Sequence, residues 1–103
     1  MTGASQGIGA GVVAAYRTAG YAVVGTARSM PDSDDHDLRT VSGDIADAET
    51  ARQVVGLALE RFGRIDTLVN DAGIFMGKPF TDYSPDDYAA MVAVNLTGFF
   101  HIA

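Results

Sequence analysis

The sequence contains no cysteine and no tryptophan, a single lysine, and only seven lysine and arginine residues in all. Without cysteine, neither a disulfide framework nor a thiolate metal site is available. Thirteen acidic residues outweigh the scattered cations and leave a net charge of −6, so no basic patch exists to neutralise a nucleic-acid backbone. No apolar run approaches the roughly 20 residues of a membrane-spanning helix, and no charged leader precedes an apolar stretch. The expectation is a cytoplasmic protein with neither a nucleic-acid nor a membrane partner. His36 and His101 have no acidic companions at ligand spacing, so no metal site is expected. The methionines are scattered gap-fillers rather than a binding surface. One further absence is local: only Met1 stands in front of the segment TGASQGIG at residues 2–9.

What is present suits a globular core. Of 103 residues, 48% are apolar, enough for a single domain spanning 1–103. IGAGVVAAYRTA (8–19) reads as a helix stopped by Gly20. YAVVGTA (21–27) is β-branched and almost continuously apolar, as a strand covered on both faces is. After the polar loop 28–37, LRTVSG (38–43) is a second strand. Asp47 caps a helix over 48–62, whose apolar residues recur every fourth position and which Gly63 ends. IDTLVN (65–70) reads as a third strand. SPDDYAAMVAVNLTGFFHIA (84–103) reads as one long helix, with Ser84 at its cap, Pro85 at its first position and two aspartates in its first turn. Alternating helices and strands predict an α/β fold with a parallel sheet and right-handed crossovers.

The glycine segment carries the chemistry. Gly3, Gly7 and Gly9 precede an amphipathic helix, where small residues let a ligand approach the main chain and the helix offers unpaired N–H groups to an anion. The spacing G-x-x-x-G-x-G is neither the G-x-G-x-x-G of most dinucleotide folds nor the Walker pattern.

This loop, TGASQGIG, resembles the cofactor loop of the short-chain dehydrogenase/reductase family, and three further segments agree in order. Asp44-Ile45 is similar to the family's Asp-Val pair at the adenine. Asn70-Asp71-Ala72-Gly73 resembles its Asn-Asn-Ala-Gly segment. Asn95, in VNLTGFF, matches the asparagine of its catalytic tetrad. The resemblance implies a Rossmann-like, doubly wound parallel sheet and hydride transfer between a nicotinamide dinucleotide and a small alcohol or carbonyl substrate, by a homo-oligomer. It further implies cofactor contacts at Gly3, Ser5, Gln6, Gly7, Ile8, Gly9, Asp44, Ile45, Asn70, Ala72 and Gly73, with a catalytic role for Asn95 in a water-linked proton relay. Asp71 departs from the family's second asparagine and lacks an amide donor. Helical spacing places Asn95 on a stripe with Tyr88, Met91, Val92 and Phe99, which predicts a buried amide in need of partners.

Arg28 follows the first strand where an acid would select NAD, and an arginine there admits the 2′-phosphate of NADP. Asp32, Asp34, Asp35 and Asp37 come directly after and repel such a phosphate, so NAD stays open as the alternative to NADP. The family's Tyr-x-x-x-Lys pair is not among these residues: Tyr16, Tyr21, Tyr83 and Tyr88 are followed four positions on by Gly20, Gly25, Asp87 and Val92. In the family a central strand precedes the glycine loop, between the strands read at 21–27 and 65–70. The expectation is therefore a piece of a longer enzyme, cut at both ends. A non-catalytic nucleotide-binding module, or an interaction domain that pairs through an open sheet edge, are the competing readings.

Overall fold

The computed structural model describes all 103 residues. Helix α1 (Gly7–Thr18) leads to strand β1 (Val23–Ala27), strand β2 (Leu38–Ser42) and helix α2 (Ala48–Phe62). A single 3₁₀ turn (Phe80–Asp82) then precedes helix α3 (Pro85–Val92), a π-helical turn (Ala93–Thr97) and helix α4 (Gly98–Ile102). β1 and β2 pair in parallel, with Val23 opposite Leu38 and Ala27 opposite Ser42. Side chains alternate across a strand, and β1 uses both faces. Val24 joins the buried cluster of Ile45, Ala51, Val54, Ala58 and Ile102 beneath α2 and α4, whereas a side chain at Gly25 would meet Ala4 at 3.1 Å on the other face.

α2 follows its sequence signals closely. Asp47 accepts a hydrogen bond from the Glu49 N–H at 2.9 Å, and Gly63 ends the helix in the left-handed region at φ 77°. This is the usual device for turning a chain out of its last helical turn. β1 starts two residues later than the apolar run that announces it, because Tyr21 N–H bonds back to the Tyr16 carbonyl in the turn after α1.

Two expectations need correction. Residues 65–70 do not form a third strand: the segment is irregular and meets the sheet only through one parallel bridge between Asn70 and Thr2. A strand exists only where a ladder partner lies alongside, and Thr2 is the sole rung, bridging Thr26 on one side and Asn70 on the other. Below that rung a cavity of about 890 Å³ separates β1 from residues 64–69, lined by Val12 and Tyr16 of α1 and by Val54 and Phe62 of α2.

The second correction concerns the final helix. It is not uniform over 84–103, because the π turn at 93–97 inserts extra backbone and rotates the residues beyond it. The inward residues are Gly98 and Ile102, while Tyr88 and Phe99 stand 67% and 55% exposed. Asn95 is exposed rather than buried. His101 fixes the end of this segment, its Nδ1 lying 3.1 Å from the Ile45 carbonyl oxygen.

The start of α3 is a reciprocal cap. Ser84 Oγ accepts from the Asp87 N–H at 3.1 Å, and the Asp87 carboxylate accepts from the Ser84 N–H at 3.0 Å. Lys78 also donates to that carboxylate. The Lys78 ammonium and then the Ser84 N–H hold the Asp87 carboxyl down at about 2. Its folded value lies below the ordinary carboxylate value, so this contribution to stability is complete above about pH 4. It is lost as the pH falls from there towards 2. Asp87→Asn is therefore expected to lower the melting temperature at neutral pH, and the gap from the parent chain should close between about pH 4 and pH 2. A gap that stays constant in a calorimetric pH series contradicts this role.

Candidate functional site

Residues 1–9 form a hairpin-like path from the sheet to a helix. Met1 and Ala4 embrace β1, with the Thr26 N–H donating to the Met1 carbonyl at 2.9 Å and the Ala4 N–H donating to the Thr26 carbonyl at 3.1 Å. The chain then rises through exposed Ser5 and Gln6 into α1. Gly7 takes φ 56° at the first helical position, a backbone conformation that a Cβ disfavours. At Gly9 the constraint is contact: a Cβ would lie 1.9 Å from the Gly3 carbonyl oxygen. Only a hydrogen at that position lets the loop fold down onto the helix.

The start of α1 is left open. Gln6 is extended and its side chain makes no cap, and the first turn contains no acid. The first N–H to find a main-chain partner is that of Ala10, bonded to the Gln6 carbonyl at 3.2 Å. The N–H groups of Gly7, Ile8 and Gly9 therefore point outward at the positive end of the helix dipole. Ile8 flanks them with its side chain 77% exposed. α2 and α3 both carry side-chain caps, so the bare start of α1 is a local choice of this sequence.

Thr2 ties this loop to the segment at 70–73. Fully buried, its hydroxyl donates to Asn70 Oδ1 at 2.7 Å and accepts from the N–H groups of Asp71 and Ala72, each at 3.1 Å. Its own N–H donates to the Val69 carbonyl at 3.0 Å. Asp71 thus contributes through its main chain, and the lost side-chain amide breaks nothing in this network. Its carboxylate lies instead beside Gly9.

Asn95 reaches the same segment from the other side. Its Oδ1 accepts from the Ile74 N–H at 2.8 Å and its Nδ2 donates to the Ile74 carbonyl at 2.9 Å. Both halves of the amide are engaged, which fixes the orientation of the group at the mouth of the site. A side chain at Gly73 would stand 3.2 Å from that Oδ1. Gly3 and Gly9 thus abut the segment at 71–72, and Gly73 abuts Asn95, so contacts link the glycine loop, residues 70–73 and Asn95.

The remaining predicted contacts lie at the ends of the strands. Asp44 is exposed after β2, and its Oδ1 accepts from the Ala46 N–H at 2.9 Å, closing the turn into α2. Ile45 is 6% exposed and belongs to the core. Arg28 follows β1, exposed and without an ion pair. Two of the aspartates in the following loop are already engaged: Arg17 pairs with Asp35 at 2.7 Å and lies 3.8 Å from Asp37. Lys78 lies over the Tyr83 ring at 5.4 Å, while the Tyr83 hydroxyl donates to the Met76 carbonyl.

Sequence reasoning singled out the glycines and missed Thr2. A β-branched hydroxyl residue immediately before the first glycine was the available signal, since such a side chain fits a strand and still reaches neighbouring main chain.

The sequence model of the short chain dehydrogenase family matches residues 1–103, and the chain belongs to that family. It is 35% identical to the Bacillus subtilis oxidoreductase YtkK, over 99% of this chain and 45% of the relative. It is 33% identical to the D-threitol dehydrogenase of Mycolicibacterium smegmatis, over 97% and 42% respectively. The chain thus spans less than half the length of these relatives. Among solved structures, a short-chain dehydrogenase/reductase of glucose/ribitol dehydrogenase type from Brucella melitensis superposes with a TM-score of 0.91 at 32% identity, over 99% of this chain and 47% of that one. ElxO, solved with NADP bound, superposes with a TM-score of 0.86 at 26% identity, over 98% and 45%. These neighbours make the parallel pair and its helices part of a Rossmann domain.

Thr2→Val keeps shape and removes the hydroxyl. It should destabilise the fold by about 2–4 kcal/mol, because Asn70 Oδ1 and the N–H groups of Asp71 and Ala72 lose a partner together. Thr2→Ser should recover most of the loss. Urea unfolding of the three chains checks this, and equal midpoints for the valine and serine variants would refute it.

Proposed function

We propose that residues 1–103 form the dinucleotide-binding part of an NADP(H)-dependent oxidoreductase that interconverts an alcohol and a carbonyl compound. The observation that carries this reading is the bare start of α1, where the N–H groups of Gly7, Ile8 and Gly9 face outward over a loop too tight for side chains. That arrangement fits a pyrophosphate, which supplies the acceptors these donors lack. From there the dinucleotide extends across the strand tips. Asp44 and the main chain of Ile45 border the adenine end, while Asn70, Ala72 and Gly73 leave a flat floor for ribose and nicotinamide. When bound, the nicotinamide supplies or accepts the hydride.

Asn95 holds Ile74 in place at the edge of that floor, and its exposure leaves it accessible to a water in a proton relay. Arg28 selects NADP. It has no acidic partner of its own, and Arg17 engages Asp35 and Asp37, two of the four aspartates in the neighbouring loop. The relatives' dehydrogenase and reductase names support the reaction class, and ElxO with NADP bound supports the cofactor. Leu96, Phe99 and Phe100 are all more than half exposed, an apolar surface of the kind that self-association covers.

Titration with NADPH and NADH, followed by nicotinamide fluorescence, tests the assignment. Arg28→Ala should weaken NADPH by about 10–100-fold, the value of a charge-assisted contact, and leave NADH nearly unchanged. Gly9→Ala should abolish binding of both. Equal losses for the two cofactors in the arginine variant refute the phosphate role, and retained binding in the glycine variant refutes the cradle.

A further inference from the structure

The segments that meet at the start of α1, residues 1–9 and 70–73, carry a single ionisable side chain, that of Asp71. Its main chain is fixed on two sides. The N–H donates to the buried Thr2 hydroxyl at 3.1 Å, and a side chain at Gly3 would touch its carbonyl carbon at 3.0 Å. The carboxylate lies against the first turn of α1, with Oδ2 3.0 Å from the place a Cβ on Gly9 would occupy. Asp71 is exposed and forms no ion pair.

Asp47 and Asp87 accept main-chain N–H groups at the starts of their own helices. α1 has no acid in its first turn, and Asp71 brings one to it from across the loop. A negative charge at the positive end of a helix dipole stabilises the unliganded fold. The same charge opposes a second anion placed there, because like charges disfavour one another. Arg28 follows β1, where it is proposed to meet the extra phosphate of NADP. Asp71 stands instead beside the turn whose donors are proposed to hold the pyrophosphate, which both cofactors share.

We propose that Asp71 is an affinity-determining residue of the dinucleotide cradle, a negative charge beside Gly9 that limits how tightly the pyrophosphate of NADPH and NADH is held. The proposal rests on the cradle reading given above and adds to it a residue that opposes the cofactor rather than contacting it. A limit of this kind suits a cofactor exchanged at every turnover, whose release can set the rate.

Asp71→Asn and Asp71→Ala both remove the charge, the first with an amide donor in its place and the second with none. Each should tighten NADPH and NADH alike, by about threefold, the value of an exposed charge contact. Nicotinamide fluorescence reads this at low salt, and the gain should shrink as the ionic strength rises. Adenosine carries no phosphate, so its affinity, followed by amide resonances of the ¹⁵N-labelled chain, should be the same in parent and variants. The alanine variant should also melt no higher than the parent without ligand, as it would if the change merely stiffened the loop. A gain confined to asparagine, a gain that persists at high salt or extends to adenosine, a higher melting temperature for the alanine variant, or no gain overturns the proposal. If the parent chain binds both cofactors in that experiment, the cradle stands and only the role of Asp71 falls. A parent chain that binds neither overturns the cradle and this proposal together.

Discussion

The hydroxyl of Thr2 is the constraint on which the arrangement depends. It stands at the only place where the two halves of the chain meet through main chain, between Thr26 and Asn70. One oxygen donates once and accepts twice there, which uses its full capacity. Because the atom is buried, none of these bonds competes with water, and each partner would be costly to leave unpaired. Two neighbours extend the same anchorage. Thr26 Oγ1 donates to the Val41 carbonyl at 2.8 Å, reaching β2, and the Met1 amine donates to the Val24 carbonyl at 2.9 Å.

The glycine loop inherits its position from this anchor. Gly3 follows Thr2 directly, and a side chain there would touch Asp71 and Ala72 at 3.0 Å, so loop and floor are set against one another with no slack. The unpartnered N–H groups of α1 are therefore held in place, as the proposed anion site requires. Net charge misleads about such a site. At −6 the whole molecule repels anions, but helix-end donors and a lone Arg28 act within a few ångströms, well inside the distance over which salt screens the remainder.

Much of this was legible in the sequence. Asp47 and Gly63 bracket α2 because a cap and a left-handed stop are local chemistry, carried by residues that need no distant partner. Ser84, Pro85 and Asp87 likewise announce the start of α3. The four ordered motifs point to the candidate site because they lie at the ends of regular elements. The failures were non-local. Residues 65–70 have a strand's composition but no ladder partner beyond Thr2, and composition cannot report whether a neighbour is present. Helical spacing groups Asn95 with the apolar residues Tyr88 and Phe99, but that stripe faces outward: Tyr88, ahead of the π turn at 93–97, is already 67% exposed. No residue between 93 and 97 is a glycine or proline that would mark such a turn.

That turn also explains how one helical segment can both pack and position. An uninterrupted α-helix through 84–103 would hold Asn95 in line with Tyr88 and Phe99, both more than half exposed. With the π turn in place, Gly98 and Ile102 dock on the core beside Ile45, while Asn95 faces residue 74. Packing and positioning are thereby assigned to different sides of the same continuous segment. π turns recur at functional sites because they redirect a side chain without ending the helix that supports it. The small residue at 98 is what makes the docking close: a Cβ there would approach Ile45 Cγ2 to 2.7 Å. The distance from the core to the site edge is thus set by one glycine and one isoleucine, and the orientation of Asn95 by the two bonds to Ile74. A change at either end of this lever moves the floor of the cradle, even though neither Ile45 nor Gly98 has a side chain that reaches its surface.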